Sequence, residues 1–197
     1  MKSEIHSEFV KICHVMHRQG LISGFDGNVS LRLGDGSLLV TPSGCNKGFI
    51  TEDMLLRVDG GGKLIEGNGK VTSEIGLHTA ILGGRPDINA VIHSHAPFCT
   101  AFAIAGKPLP ENLLIEIPGS VGRNAVAPYA LPGTPAVAAG VRPLLEGNSA
   151  IILQNHGIAV MGKALMEAYS LLEALENAAK SIILARLLGE AIEIPGA

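Results

Sequence analysis

Residues 91–97 read VIHSHAP: an apolar run, two histidines one residue apart, and a proline. Side chains alternate between the faces of a strand, so His93 and His95 would point the same way. Two imidazoles on one face at a strand end make a start on a metal site. A catalytic zinc takes three protein ligands and keeps a fourth position open. The surrounding INAVIHSH is the expected strand, and Pro97 suits the first turn of a helix through FCTAFAIAG. A third imidazole follows another apolar run, in SAIILQNHG, where His156 precedes a glycine at what looks like a second strand mouth. On spacing alone the alternative is a set of buried, hydrogen-bonded core histidines. The partners of the two histidines therefore have to be sought along the rest of the chain.

Outward from this segment, Ile5, Phe9, Ile12, Cys13 and Met16 make a helical stripe over residues 3–19, with Gly20 placed to end it. Three short strands, in NVSLRL, SLLVTP and LLRVD, and the KLIEG stretch are separated by GDG and DGGG turns, the pattern of an antiparallel meander. A helix is expected from about Ser73 through EIGLHTAIL to Gly83-Gly84, and another from Thr134-Pro135 to about Leu145. GIAVMG gives a further short strand, and Leu165, Tyr169, Leu172, Leu175, Ala179 and Ile182 line one face of a long last helix. Residues 107–133, rich in Pro and Gly, read as an irregular excursion. Helices around a central sheet, without regular βαβ alternation, predict an α/β fold with a mainly antiparallel sheet, as one domain over 1–197.

Composition narrows the function. The chain is 47% hydrophobic and 17% charged with a net charge of −3, which suits a globular enzyme and lacks the basic surface of a nucleic-acid binder. No apolar run approaches the roughly 18 residues of a membrane span, and the charged N-terminal segment lacks the apolar centre of a signal peptide. Cys13, Cys45 and Cys99 are an odd set without paired spacing, so no disulfide framework is expected. A cytoplasmic location is the expectation.

Glu74 opens the helix after Thr72-Ser73, where negative charge is favoured by the helix dipole, and His78 lies four residues on along the same face. Three loops, GFDGNVS, TPSGCNKG and VTSE, offer hydroxyl or amide side chains beside glycine or a helix start, groups that hold a phosphate without a strongly basic patch. Each loop alone is also an ordinary turn.

Taken in order, GFDGNVSLRL, TPSG, TEDMLLRVD, TSEIGLHTAI, AVIHSHAPFCTAFA, APYALPGT and LQNHGIAV resemble the blocks of the class II aldolase/adducin family, over residues 5–188. The pattern is most similar to the L-fuculose-1-phosphate aldolase type. The resemblance implies a divalent metal, zinc or a related ion, on His93, His95 and His156. It implies Glu74 as the proton-transfer group, able to ligate the resting metal, and a phosphate held by Asn28, Ser43, Gly44, Thr72 and Ser73. It further implies reversible cleavage of a ketose 1-phosphate to dihydroxyacetone phosphate and an aldehyde through a metal-stabilised enediolate. A homotetramer with active sites at subunit interfaces goes with it. Lys47 and Lys107 receive no catalytic part, because this chemistry uses no Schiff base.

The chain departs from the fuculose aldolases at one point. Those enzymes use a neighbouring subunit's tyrosine, between the H-x-H strand and the A-P-Y block, to protonate the aldehyde oxygen. Here that segment reads ENLLIEIPG, with Leu114 near the expected place, and the C-terminal LGEAIEIPGA holds no tyrosine either. Glu116, Glu111 and Tyr129 are the candidate replacements. Alternatives within the family are therefore a dehydratase of the methylthioribulose-1-phosphate type, for which Glu116 is suited, and a sugar-phosphate 4-epimerase. A non-catalytic, adducin-like module is disfavoured by the three imidazoles with Glu74.

Overall fold

The structure, a computed structural model, describes residues 4–196. The strand that carries His93, β5 (Ala90–Ser94), lies within an eight-stranded sheet. On one side of it stand β1 (Asn28–Arg32), β2 (Leu38–Val40), β3 (Leu56–Val58) and β4 (Leu64–Glu66), paired in succession as the expected antiparallel meander. On the other stand β6 (Arg123–Ala127), β7 (Asn148–Leu153) and β8 (Gly157–Gly162), giving the order β4-β3-β2-β1-β5-β8-β7-β6. All named pairings are antiparallel but one, β6 with β7. The β1–β2 turn is built by Asp35, whose Oδ1 accepts from the backbone N–H and hydroxyl of Ser37 (3.1 and 2.6 Å), while Gly36 takes a φ of 82°.

Helices cover both faces. α1 (Glu4–Arg18), α3 (Pro97–Ala105) and α5 (Leu165–Leu188) supply Phe9, Ile12, Phe102, Leu172 and Leu175 to a core that includes Ile92 and Ile152. α2 (Ile75–Gly84) and α4 (Pro135–Val141) supply Leu77, Ile81 and Val137 to a second core with Val40, Val91 and Ile151. Alternation along β5 thus sends Ile92 toward α5 and Val91 toward α2. His93, two residues after Val91, shares the α2 face. The N-terminus of α3 is held from across the core: the Glu176 carboxylate on α5 accepts the N–H groups of Phe98 (2.9 Å) and Cys99 (2.8 Å), two of the donors a helix start leaves unpaired.

The segment 107–133 is more ordered than its composition suggests. It holds a π-helical turn, Ile117–Val121, and the whole of β6. α4 stops at Val141 and tightens into a 3-10 turn at Arg142–Leu144, because Pro143 has no N–H to continue an α-helix. The three cysteines are free and buried. No helix among the described residues is long and apolar enough to cross a membrane.

Candidate metal centre

The beginnings of β1 and β8 and the ends of β2, β5 and β7 lie at one edge of the sheet, and the predicted site residues gather there. Asn28 pairs with His93 across β1 and β5, and His93 pairs with Ala159 across β5 and β8. Beyond β5 the chain carries His95. The β7–β8 turn carries His156, with Asn155 in the left-handed region at φ 56°. Gly157 is required by contact: a Cβ there would stand 2.4 Å from the Ser94 carbonyl oxygen and 2.9 Å from Cδ2 of His95. The glycine lets the two strand ends close on each other and brings His156 under His95.

The three imidazoles converge through their Nε2 atoms. His93 Nε2 is 3.1 Å from that of His95 and 3.3 Å from that of His156. Nitrogens around a tetrahedral zinc at 2.0–2.1 Å are separated by about 3.3–3.4 Å, so these spacings fit a shared ion. His93 Nδ1–H donates to the Ile158 carbonyl (3.1 Å), which leaves the lone pair of Nε2 facing its neighbours. Burial, with His156 and His95 adding, holds His93 well below the ordinary imidazole range, and burial lowers His156 against the opposing pull of Glu74. Neutral imidazoles with converging lone pairs are what a cation satisfies. His93 is fully buried and His95 is 30% exposed on its side chain, so the cluster opens to solvent on the His95 side.

Glu74 completes the set. It stands at the N-cap position of α2, and its backbone N–H is taken by Thr72 Oγ1 (3.2 Å). Oε2 lies 3.4 Å from His93 Nε2 and Oε1 lies 3.4 Å from His156 Nε2. Among the described residues Oε1 is buried without a hydrogen-bond partner, an expensive condition for a carboxylate oxygen that a metal ion would relieve. Four residues here could therefore hold a metal: the three histidines and Glu74.

The loops meet beside this cluster. A β-bridge between Pro42 and Val71, with Ser43 N–H donating to the Lys70 carbonyl (2.8 Å), sets the 42–44 turn against the 71–73 turn. Ser43, Gly44 and Ser73 are exposed and Thr72 is buried. Asn28 is placed differently: its Nδ2 donates to Glu74 Oε2 (2.9 Å) and its Oδ1 faces His78 Nε2. Buried Lys47 donates Nζ to the Phe25 carbonyl (3.0 Å) and so straps the 23–27 turn to the 43–47 turn; burial lowers its pKa.

One feature escaped the sequence reading. Asp26 Oδ2 stands 4.0 Å from His95 Nδ1, behind the ligand nitrogen, and its only signal was a carboxylate within GFDGN. His78 is 1% exposed, with Ser30 Oγ 2.6 Å from its Nδ1; burial, with His93 adding and Glu74 opposing, lowers its pKa to about 3. Leu113, Leu114 and Ile117 pack into the core on the α5 side, while Glu111, Glu116 and Tyr129 are exposed.

Comparison with known proteins agrees over the whole length. Residues 7–183 match the class II aldolase and adducin N-terminal domain. The L-fuculose phosphate aldolase of Methanococcus vannielii is 38% identical over 173 residues, spanning 88% of this chain and 92% of that one. A solved L-fuculose 1-phosphate aldolase superposes with a TM-score of 0.89 at 30% identity, covering 100% of this chain and 92% of the other. YgbL of Klebsiella pneumoniae, described in terms of aldolase, epimerase or decarboxylase activity, gives a TM-score of 0.87 at 31% identity and covers 100% and 96%. Fold and sequence agree: the chain belongs to the class II aldolase and adducin family and is a class II aldolase within it.

Proposed function

We propose that the protein is a zinc-dependent aldolase that cleaves a ketose 1-phosphate reversibly to dihydroxyacetone phosphate and an aldehyde. In this reading residues 1–197 form a single domain of a cytoplasmic homotetramer. The observation that carries it is the convergence of three Nε2 atoms beside a carboxylate whose Oε1 has no other partner. The names of the Methanococcus vannielii relative and of the solved aldolase support a phosphorylated sugar as substrate.

His93, His95 and His156 would hold the zinc, which when bound supplies Lewis-acid stabilisation for negative charge developing on the substrate oxygens. Glu74 moves the proton at the carbon next to the carbonyl, since it is a carboxylate fixed at the head of α2 and only 12% exposed on its side chain. Ser43, Gly44, Thr72 and Ser73, on turns joined by the Pro42–Val71 bridge, take the phosphate with Asn28. The α2 N-terminus favours that charge. A dehydratase is the second reading, because residues 107–121 offer no tyrosine and an exposed Glu116 instead.

Zinc-loaded protein given dihydroxyacetone phosphate in deuterium oxide should exchange a hydroxymethyl proton, followed by NMR. Glu74→Gln should keep zinc on the three imidazoles yet lose about 10²–10⁴-fold of the exchange rate. Zinc binding without any exchange in the wild type would overturn the aldolase reading and turn attention to Glu116.

A further inference from the structure

β1 meets α2 with polar side chains at every second position. Asn28 contacts Glu74 and His78, Ser30 contacts His78, and the Arg32 guanidinium bonds the Leu82 carbonyl. Two strand residues advance about 6.8 Å and four helical residues about 6 Å, so the two series keep step along the contact. Ser30 and His78 are 0% and 1% exposed. An apolar pair would fill that space without the cost of desolvating a hydroxyl and an imidazole. The polar pair therefore calls for a reason.

The direction of the bonds supplies one. An ionised Glu74 only accepts, so Asn28 must turn Nδ2–H toward Oε2 and Oδ1 toward His78. Oδ1 only accepts, so His78 must carry its proton on Nε2. Nδ1 then holds the lone pair and takes the Ser30 hydroxyl hydrogen (2.6 Å). Each assignment follows from the one before it.

We infer that His78 is a positioning residue: protonated on Nε2 by the demand of Asn28 Oδ1 and with its ring steadied by Ser30, it locks the Asn28 amide so that its N–H aims Glu74 at the imidazole cluster. Without that donor the amide can rotate by half a turn and set Oδ1 against the carboxylate, which drives Glu74 from its place. The consequence for metal and proton transfer rests on the function proposed above; the tautomer and the amide orientation do not.

Two measurements separate these. In metal-free protein, ¹⁵N NMR should show His78 as the Nε2–H tautomer, the form that Asn28 Oδ1 requires. Cobalt affinity, read by competition with a chelator, should fall by about 10–100-fold in His78→Leu, the usual cost of losing an outer partner of a metal site. His78→Gln, which keeps a donor, should recover part of the loss. In a Glu74→Gln background His78→Leu should cost almost nothing further, because residues acting through one group are not additive. An Nδ1–H tautomer in the wild type overturns the inference, and so does an equal loss in both backgrounds, which marks a packing residue. Should His78→Leu not fold, Ser30→Ala, which frees the ring to turn, carries the affinity test in both backgrounds, and unchanged cobalt affinity there overturns the inference. A wild type that binds no cobalt defeats the metal reading alone, and the tautomer still decides the role of His78.

Discussion

Acidifying the metal-free protein should destabilise it well before its carboxylates titrate. His78 takes a proton near pH 6.5 in the unfolded chain but only near 3 in the folded one, because burial and the neighbouring His93 disfavour the cation more than Glu74 favours it. Between those values the unfolded state binds the extra proton, so stability rises with pH. The contribution is fully present above the unfolded value and is lost as the pH falls through the window. The slope approaches about 1.4 kcal/mol per unit, so His78 alone costs about 1.4 kcal/mol between pH 7.5 and 5.5 and about 2.7 kcal/mol by pH 4.5. His93 is displaced in the same direction by its burial and by His156 and His95, and steepens the fall. Against a total of about 5–15 kcal/mol for a typical domain this is a large loss. Urea denaturation of chelator-treated protein, followed by circular dichroism from pH 7.5 to 5.5, measures it where the carboxylates contribute little. A change below about 0.5 kcal/mol over that span would refute the reasoning, since it would mean that His78 is protonated or solvated in the fold.

Other consequences follow from single contacts. His95→Ala should abolish stoichiometric zinc binding while leaving the circular dichroism spectrum and melting temperature close to wild type, because this side chain is 30% exposed; retained zinc would remove His95 from the site. Gly157→Ala should cost about 1–3 kcal/mol by overpacking and weaken zinc binding as well, since its Cβ meets the Ser94 carbonyl at 2.4 Å and the His95 ring at 2.9 Å. An unchanged melt and zinc affinity would show that the strand ends are not in contact as described. Glu176→Ala should lose about 1.5–3 kcal/mol in urea denaturation, the worth of hydrogen bonds to a charged group, because Phe98 and Cys99 N–H lose their acceptor at the head of α3. A loss under about 0.5 kcal/mol would mean water replaces it.

Much of the fold is legible because it is local. Gly20 and Gly106 stop α1 and α3 in left-handed conformations at φ 72° and 63°, and both stops are written in the sequence. Asp35-Gly36 likewise announces the β1–β2 hairpin. β6 is different. RNAVA has too little apolar character to declare itself, and it becomes a strand by pairing in parallel with β7 across the α4 crossover. Parallel pairing depends on a distant partner, and no local alternation records it. Pro143 was visible, but its effect, shortening α4 to Val141, depends on where the helix has to hand over to β7.

The site divides along the same line. His93, His95 and His156 can be found because each sits next to an apolar strand and its turn, and Glu74 because it opens a helix. The resemblance implies Asn28 for the phosphate, but it does not foretell that the amide also faces Glu74 and His78. The reason lies in NVSLR. Its alternation sets Val29 and Leu31 on one face and Asn28, Ser30 and Arg32 on the other, which for a sheet with one solvated face would expose the polar set. This sheet is covered on both faces, and α2 lies over the polar one, so Ser30 is fully buried and finds its partner in His78. A strand that breaks the usual burial rule does so with every polar group directed at one helix, and that helix begins with Glu74. Local pattern and tertiary environment disagree at the same place where the proposed function needs the carboxylate held, as expected when a fold gives up apolar packing to orient a reactive group.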